Sequence, residues 1–161
     1  RDNIIEKSLY YEPFVGYVPS SFPFHKNKNI EIDDLNLSDL LILEDGHCFR
    51  NHVLNLCEIN ENKIKKFDLK SGGFETLIHL ADAGLGMTIL PYLNAMILPK
   101  DKQDNVKFFK EPAPAREISL IHSKSQLKIS IISALKSTIS EILKNTFALG
   151  NIKVISPTKT R

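Results

Sequence analysis

The feature that most constrains the fold of this chain is a pair of cysteines, Cys48 and Cys57, on one helical pattern. Asp45-Gly46 ends the apolar run 40–43 and predicts the start of a helix, with Asp45 as its N-cap. Nine residues of continuous helix advance about 13.5 Å and place the two thiols on opposite faces. A disulfide requires Cα atoms within roughly 7 Å, so this pair forms one only if the helix unwinds.

Cys48 has the surroundings that a reactive thiol needs. It falls in the first predicted helical turn, where free N–H groups and the positive end of the helix dipole stabilise a thiolate. His47 and Arg50 add two cationic or hydrogen-bonding neighbours. From the residues alone, an inert buried thiol is the alternative for Cys48. Cys57 lies beside two leucines, and it is either a resolving thiol or a residue of the core.

The segment Glu-Asp-Gly-His-Cys-Phe-Arg-Asn-His, residues 44–52, is followed by a second cysteine nine residues after the first. It resembles the sensing segment of the OxyR family, the hydrogen-peroxide-responsive members of the LysR-type transcriptional regulators. The resemblance implies that peroxide oxidises Cys48 to a sulfenic acid. It also implies that Cys57 is the resolving partner, so that the two cysteines are a redox-active pair.

Three more residues take a role from the same resemblance. It implies that His47, Arg50 and Arg116 bind peroxide, Arg116 because it aligns with an arginine that the family places near the sensing cysteine. From the residues alone, a lone histidine such as His47 is more often a structural hydrogen-bonding residue, and Arg116 is equally a solvated charge at the end of a strand. Asn51 stands where family members often carry aspartate, and this departure removes a charge from the cysteine segment.

A second block of sequence supports the same superfamily. Residues 72–84 predict a helix that ends at Gly84, and residues 85–91 predict a strand. The run Glu-Thr-Leu, followed by Ala-Gly-x-Gly-Met-x-x-Leu-Pro, is similar to the pattern found across LysR-type regulators. By itself this pattern indicates the superfamily and no particular ligand.

The rest of the chain alternates between strand and helix patterns, which favours an α/β fold with a mixed or parallel sheet. The sequence predicts breaks or loops at Glu12-Pro13, at 99–105 and at 112–114, and a frayed or short-stranded tail after Gly150. Further strands are predicted at 9–11, 14–18, 40–43, 67–69, 106–109 and 116–122, and helical segments at 92–98 and 127–147.

The resemblance implies a periplasmic-binding-protein-like LysR regulatory domain with two α/β subdomains, the first only partly present in this fragment. Residues 1–11 are then the end of the first subdomain and the hinge. Residues 12–114 form the second subdomain with the redox cysteine segment, and residues 115–161 return to the first with the C-terminal helix. The chain begins with Arg1 and not with methionine, as expected for part of a longer protein.

Composition narrows the classes of protein. With 161 residues, 42% of them hydrophobic and 25% charged, the chain is long enough for a folded core. A net charge of +2 argues neither for nor against a nucleic-acid surface. No apolar run approaches 18 residues and no secretory pattern is visible, so we expect a cytoplasmic protein without membrane contact. In a reducing cytosol a disulfide acts as a redox signal and not as a permanent structural cross-link.

The predicted function is the redox-sensing regulatory domain of a transcriptional activator that switches oxidative-stress gene expression. It is not expected to be an enzyme or to bind a cofactor. Hydrogen peroxide is the expected signal, and the expected assembly is a homodimer or tetramer. DNA and RNA polymerase are expected partners of the full-length protein, and a thiol reductant such as glutaredoxin is expected to reverse the oxidation.

Other classes stay open. One is a LysR-type effector-binding domain that recognises a small metabolite, with incidental cysteines. A thiol peroxidase is disfavoured because the Pro-x-x-x-Thr-x-x-Cys pattern is missing, and a solute-binding protein because no secretory signal is visible. A metal site is disfavoured as well: Cys48 and His52 share a helix face, but structural zinc takes four ligands and Cys57 falls on the opposite face.

Overall fold

The computed structural model describes residues 3–35, 39–44, 46–57, 72–144, 146 and 150–158. Within these residues the chain forms strands, α-helices and two short 3-10 helices, at Pro23–Lys26 and Ile32–Asp34. The strands are β1 (Ile4–Tyr17), β2 (Asn29–Ile30), β3 (Leu40–Leu41), β4 (Met87–Pro91), β5 (Val106–Phe109), β6 (Ala113–Ser123) and β7 (Ile152–Val154). The α-helices are α1 (Cys48–Leu56), α2 (Phe74–Asp82), α3 (Tyr92–Met96), α4 (Lys100–Gln103) and α5 (Ile129–Leu143).

The long strand β1 belongs to two sheets. Residues 4–13 pair antiparallel with β6, whereas residues 14–17 pair antiparallel with β4 and residues 15–17 with β5. The predicted break at Glu12-Pro13 is therefore wrong, because β1 runs through it. Proline has no N–H to donate, and Pro13 lies where β1 changes its hydrogen-bonding neighbours.

Both sheets are mixed, as the alternating pattern predicted. Strands β2 and β5, β3 and β4, and β6 and β7 pair in parallel, and β1 pairs antiparallel with each of its neighbours. The order is β2-β5-β1-β4-β3, and β6 and β7 continue from the other part of β1. This arrangement confirms the α/β class.

Local patterns predicted several elements correctly. Helix α2 and strand β4 confirm the unit at 72–91, and Gly84 follows the helix with a φ of 79°, a conformation that favours glycine. Helix α3 lies within the helical segment predicted at 92–98, and α5 lies within the one predicted at 127–147. Strand β5 coincides with the strand predicted at 106–109, and β6 extends beyond the one predicted at 116–122 at both ends. The tail forms the short strand β7. The predicted strand at 67–69 lies outside the described residues.

Two predicted interruptions are shorter than expected. The loop predicted at 99–105 contains α4, which begins directly after Pro99, a residue suited to a helix start. The break predicted at 112–114 is confined to the cis peptide bond between Glu111 and Pro112, because β6 already includes Pro114. The predicted strand at 40–43 is reduced to the two residues of β3.

The buried core is built mainly from β1, β4, α1 and α2. The buried face of α1 supplies Phe49, Val53, Leu54 and Leu56, which join β1, β4 and α2 in one apolar cluster. Helix α5 has no buried residue among those described, and its Ile131 is 61% exposed. Across the described residues, none of the helices has the length and apolar character that a membrane span requires.

Candidate functional site

Helix α1 carries one cysteine at each end. Cys48 is its first residue and Cys57 is its C-cap, and both thiols are free. The prediction of one continuous helix between them is confirmed. At 1.5 Å per residue, the nine-residue step corresponds to about 13.5 Å along the axis, well beyond the reach of a disulfide.

The start of α1 corrects one prediction. The N-cap is His47 and not Asp45, which itself lies outside the described residues. Gly46 has a φ of 98°, so a left-handed turn follows the apolar run before the helix begins. The His47 side chain makes no capping bond to the described backbone, but its carbonyl accepts the N–H of Arg50 at 3.0 Å.

Arg50 links the first turn of α1 to the end of the preceding apolar run. Its Nη1 donates to the carbonyl oxygen of Leu43 at 3.0 Å. That bond fixes the spacing between residue 43 and the first turn of α1. The structure thus gives Arg50 an architectural contact, and peroxide binding by this residue stays a prediction.

The exposed thiol of Cys48 sits next to a buried anchor. Phe49 is 4% exposed, and its ring meets the rings of Phe14 and Phe74 edge to face at 5.2 Å in each case. Such aromatic pairs add about 0.5–1.5 kcal/mol beyond the area that they bury. The first turn of α1 therefore holds its backbone in the core while presenting the thiol to solvent.

His52 lies one turn below Cys48 and bonds to it through the backbone. Its Nδ1 is 3.0 Å from the Cys48 carbonyl oxygen, and because a carbonyl only accepts, Nδ1 carries the proton. Burial lowers the pKa of His52, the bond to the Cys48 carbonyl raises it, and the charge of Arg116 lowers it further. The ring packs edge to face on Phe14, with centroids 5.9 Å apart.

Arg116 reaches the same turn from β6. Its guanidinium carbon lies 5.2 Å from the centroid of the Phe49 ring, within cation–π range. Its Nε and Nη2 donate to the Oε2 of Glu12 at 2.9 and 2.7 Å. The side chain is 19% exposed, so the alternative of a solvated strand-end charge is wrong.

Cys57 lies in the opposite environment. Burial raises the pKa of its thiol to about 12, which keeps the group protonated at neutral pH. The thiol packs against the main apolar cluster. Nearby, the Nδ2 of Asn55 donates to the carbonyl oxygen of Ser156 at 2.8 Å and ties this end of α1 to the tail.

The structure thus brings Cys48, His52 and Arg116 to one end of α1 and leaves Cys57 at the other. The sequence reading missed Glu12, which it treated as a strand break, and the anchoring role of Phe49. An acidic residue directly before an apolar strand was the available signal for Glu12. Within the described part of the chain, no three His, Cys, Asp or Glu residues are arranged to hold a metal ion.

Known proteins with similar sequences are transcriptional regulators. The chain is 41% identical over 96 residues to the HTH-type transcriptional regulator EstR of Acinetobacter baylyi, covering 58% of this chain and 31% of EstR. It is 32% identical over 121 residues to the DNA-binding transcriptional dual regulator OxyR of Escherichia coli K12, covering 73% of this chain and 38% of OxyR. The chain therefore spans only a minor part of either relative.

The fold has solved counterparts. OxyR from Porphyromonas gingivalis superimposes with a TM-score of 0.81 at 24% identity, over 96% of this chain and 71% of that one, a likeness that shows the fold alone. Residues 1–143 match the LysR substrate binding domain. The chain belongs to the family of LysR substrate binding domains.

Proposed function

We propose that this chain is the redox-sensing regulatory domain of a LysR-type transcriptional activator that hydrogen peroxide oxidises at Cys48. The observation that carries the proposal is the placement of two free thiols at opposite ends of one helix, one exposed and one partly buried against the apolar cluster. Exposure lets Cys48 meet a small oxidant, whereas burial protects Cys57 from direct attack. The 32% identity to the hydrogen peroxide-inducible genes activator of Escherichia coli O157:H7 supports hydrogen peroxide as the signal.

The proposed reaction has two steps. The Cys48 thiolate attacks one oxygen of hydrogen peroxide, the O–O bond breaks, and a sulfenic acid and hydroxide form. The Cys57 thiol then displaces the sulfenic oxygen, which leaves as water, and a disulfide joins the two sulfur atoms. His47, Arg50 and Arg116 are proposed to bind the peroxide or stabilise the thiolate, as in the pattern that this segment resembles.

The second step requires a change of structure. The two cysteines lie about 13.5 Å apart along α1, so the helix must unwind before their Cα atoms come within roughly 7 Å. Unwinding withdraws apolar residues such as Phe49 and Leu54 from the core. The resulting disulfide is strained and readily reduced, which suits a reversible switch.

The family supports a proposal for the wider setting. In the full-length protein this domain is proposed to form a homodimer or tetramer, to act on DNA and RNA polymerase in the cytoplasm, and to be reset by a thiol reductant such as glutaredoxin. The division at 1–11, 12–114 and 115–161 stays a prediction. It is supported by β1, which changes sheets between Pro13 and Phe14.

Mass spectrometry with and without a few equivalents of peroxide tests the proposal. We expect a loss of two hydrogen atoms and a peptide that links Cys48 to Cys57. In Cys57→Ser the expected product is a gain of one or more oxygens at Cys48, and Cys48→Ser should stay unchanged. An unchanged mass for the wild-type chain would contradict the proposal.

A second candidate is a domain that binds a small metabolite, with incidental cysteines. It is favoured by the 41% identity to EstR, a regulator whose name refers to no oxidant. For this candidate peroxide leaves the mass unchanged, and a metabolite from a screened set raises the melting temperature. The two readouts separate the candidates in one preparation.

A further inference from the structure

A buried carboxylate lies behind the candidate site. Glu12 is 2% exposed, and its Oε2 accepts two hydrogen bonds from Arg116. Its Oε1 accepts the backbone N–H of Leu93, in the first turn of α3, at 3.1 Å. Burying a carboxylate costs several kcal/mol unless it is paired and hydrogen-bonded, so this residue and its partners depend on one another.

The position of Glu12 on β1 directs it toward α1. Glu12 stands directly opposite Arg116 in the antiparallel pairing of β1 with β6. Two residues further along the strand, Phe14 contacts the rings of Phe49 and His52. Because side chains alternate along a strand, Glu12 and Phe14 lie on one face of β1, and that face supports α1.

Glu12 also fixes the direction of the Arg116 side chain. An arginine side chain loses rotamer entropy when it is held, so it adopts one position only when partners define it. Here Nε and Nη2 both donate to one carboxylate oxygen, and the guanidinium carbon lies over the ring of Phe49. Phe49 directly follows Cys48, so this bond determines where the positive charge lies relative to the thiol.

We infer that Glu12 is a positioning residue for the oxidation of Cys48, which it serves by holding the guanidinium of Arg116 beside the first turn of α1. Glu12 itself bonds to Arg116 and Leu93 and acts on the thiol only through Arg116. The inference rests on the proposed function, because it assigns Glu12 a part in that same reaction. It also adds to the redox site a residue of β1 that lies next to the point where this strand passes from one sheet to the other.

Rates measured on a Cys57→Ser background, where only Cys48 reacts, test the inference. We expect Glu12→Gln to slow the reaction of Cys48 with peroxide at pH 7 by about tenfold, the effect of moving one charge by a few ångströms. Glu6→Gln is the matched control, since Glu6 is exposed on the same strand, and its rate should stay within about twofold of the background rate. A Glu12→Gln rate equal to that of Glu6→Gln would overturn the inference.

A double-mutant cycle separates positioning from a merely structural role. If Glu12 acts through Arg116, adding Glu12→Gln to Arg116→Gln leaves the rate within about twofold of the Arg116→Gln rate. Losses that multiply would overturn the inference. The Nε–H signal of Arg116 in a nitrogen–proton spectrum should be protected from exchange in the background protein and in Glu6→Gln, and lose that protection in Glu12→Gln.

A second substitution at Glu12 and a second thiol reagent complete the test. If Glu12→Gln does not fold, Glu12→Asp keeps the charge on a shorter arm, so an intermediate rate supports the inference and a background rate overturns it. Iodoacetamide replaces peroxide in a parallel series. If peroxide leaves Cys48 intact, the proposed function fails, while the iodoacetamide rates of Glu12→Gln and Glu6→Gln still decide whether Glu12 controls the thiol.

Discussion

The two ends of α1 show how one helix gives two chemically identical groups opposite properties. At the N-terminal end the thiol of Cys48 is exposed, although the next residue, Phe49, is anchored in the core. At the C-terminal end Cys57 packs against the apolar cluster, and burial raises the pKa of its thiol to about 12. The environment of each end, and not the composition of the segment, gives the two thiols their different exposure.

The contacts that hold the two ends also differ. The N-terminal end rests on β1 and β6 through Phe14 and Arg116, which are far from it in the sequence. The C-terminal end is joined to the tail by the bond from Asn55 to the carbonyl of Ser156. Because different contacts hold the two ends, a substitution can remove the contacts of one end without deleting those of the other.

The largest expected effect concerns the buried end. In Cys48→Ser at pH 8, alkylation of Cys57 by iodoacetamide should be roughly a thousandfold slower in the native protein than in urea. The unfolded thiol has a pKa of about 8.5 and is partly ionised at this pH, whereas a pKa of about 12 leaves very little thiolate in the folded state. Mass spectrometry over time gives both rates.

The reciprocal variant, Cys57→Ser, is the control for that measurement. Its Cys48 is exposed in the folded state, so unfolding should change its alkylation rate far less. If Cys57 in the native protein reacts as fast as it does in urea, the contrast between the two ends of α1 is lost.

The second effect concerns the anchored end. Phe49→Ala should lower the free energy of unfolding by about 3–5 kcal/mol, the usual cost of removing a buried phenylalanine. Asn51→Ala, an exposed change on the same helix, should stay within about 0.5 kcal/mol of wild type. Urea unfolding followed by circular dichroism measures both. Equal losses in the two variants would mean that Phe49 does not anchor the first turn.

Local patterns explain which parts of the fold the sequence predicted. The helix at 72–84 and the strand after it were predictable because their periodicity and the closing glycine lie within a few residues. The path of β1 was not, because a strand that passes from one sheet to another at Pro13 is defined by partners far along the chain. Similarly, α4 is too short to produce a periodic pattern.

In the candidate site, too, features defined by adjacent residues were predictable and features defined by distant partners were not. The helix start and the surroundings of Cys48 follow from adjacent residues, although the turn at Gly46 moved the N-cap from the predicted Asp45 to His47. The role of Glu12 was hidden because its partner is 104 positions away. The bond from His52 to the Cys48 carbonyl fits the four-residue helical spacing, but a histidine at that spacing also suits a metal site.

The smallest expected effect is a pH dependence that originates beside the anchored end. Burial lowers the pKa of His52 below its unfolded value of about 6.5. Below pH 6.5 the unfolded chain therefore binds more protons than the folded one, so the stability that His52 contributes is present above pH 6.5 and is lost as the pH falls. The slope is at most about 1.4 kcal/mol per pH unit.

Urea titrations between pH 7.5 and pH 5 measure this dependence. In His52→Asn, which keeps a donor for the Cys48 carbonyl, the free energy of unfolding should fall less steeply with falling pH than in wild type. In His79→Asn, a change at an exposed residue, it should fall as steeply as in wild type. Identical slopes in all three proteins would show that the ring of His52 is not held neutral by its burial.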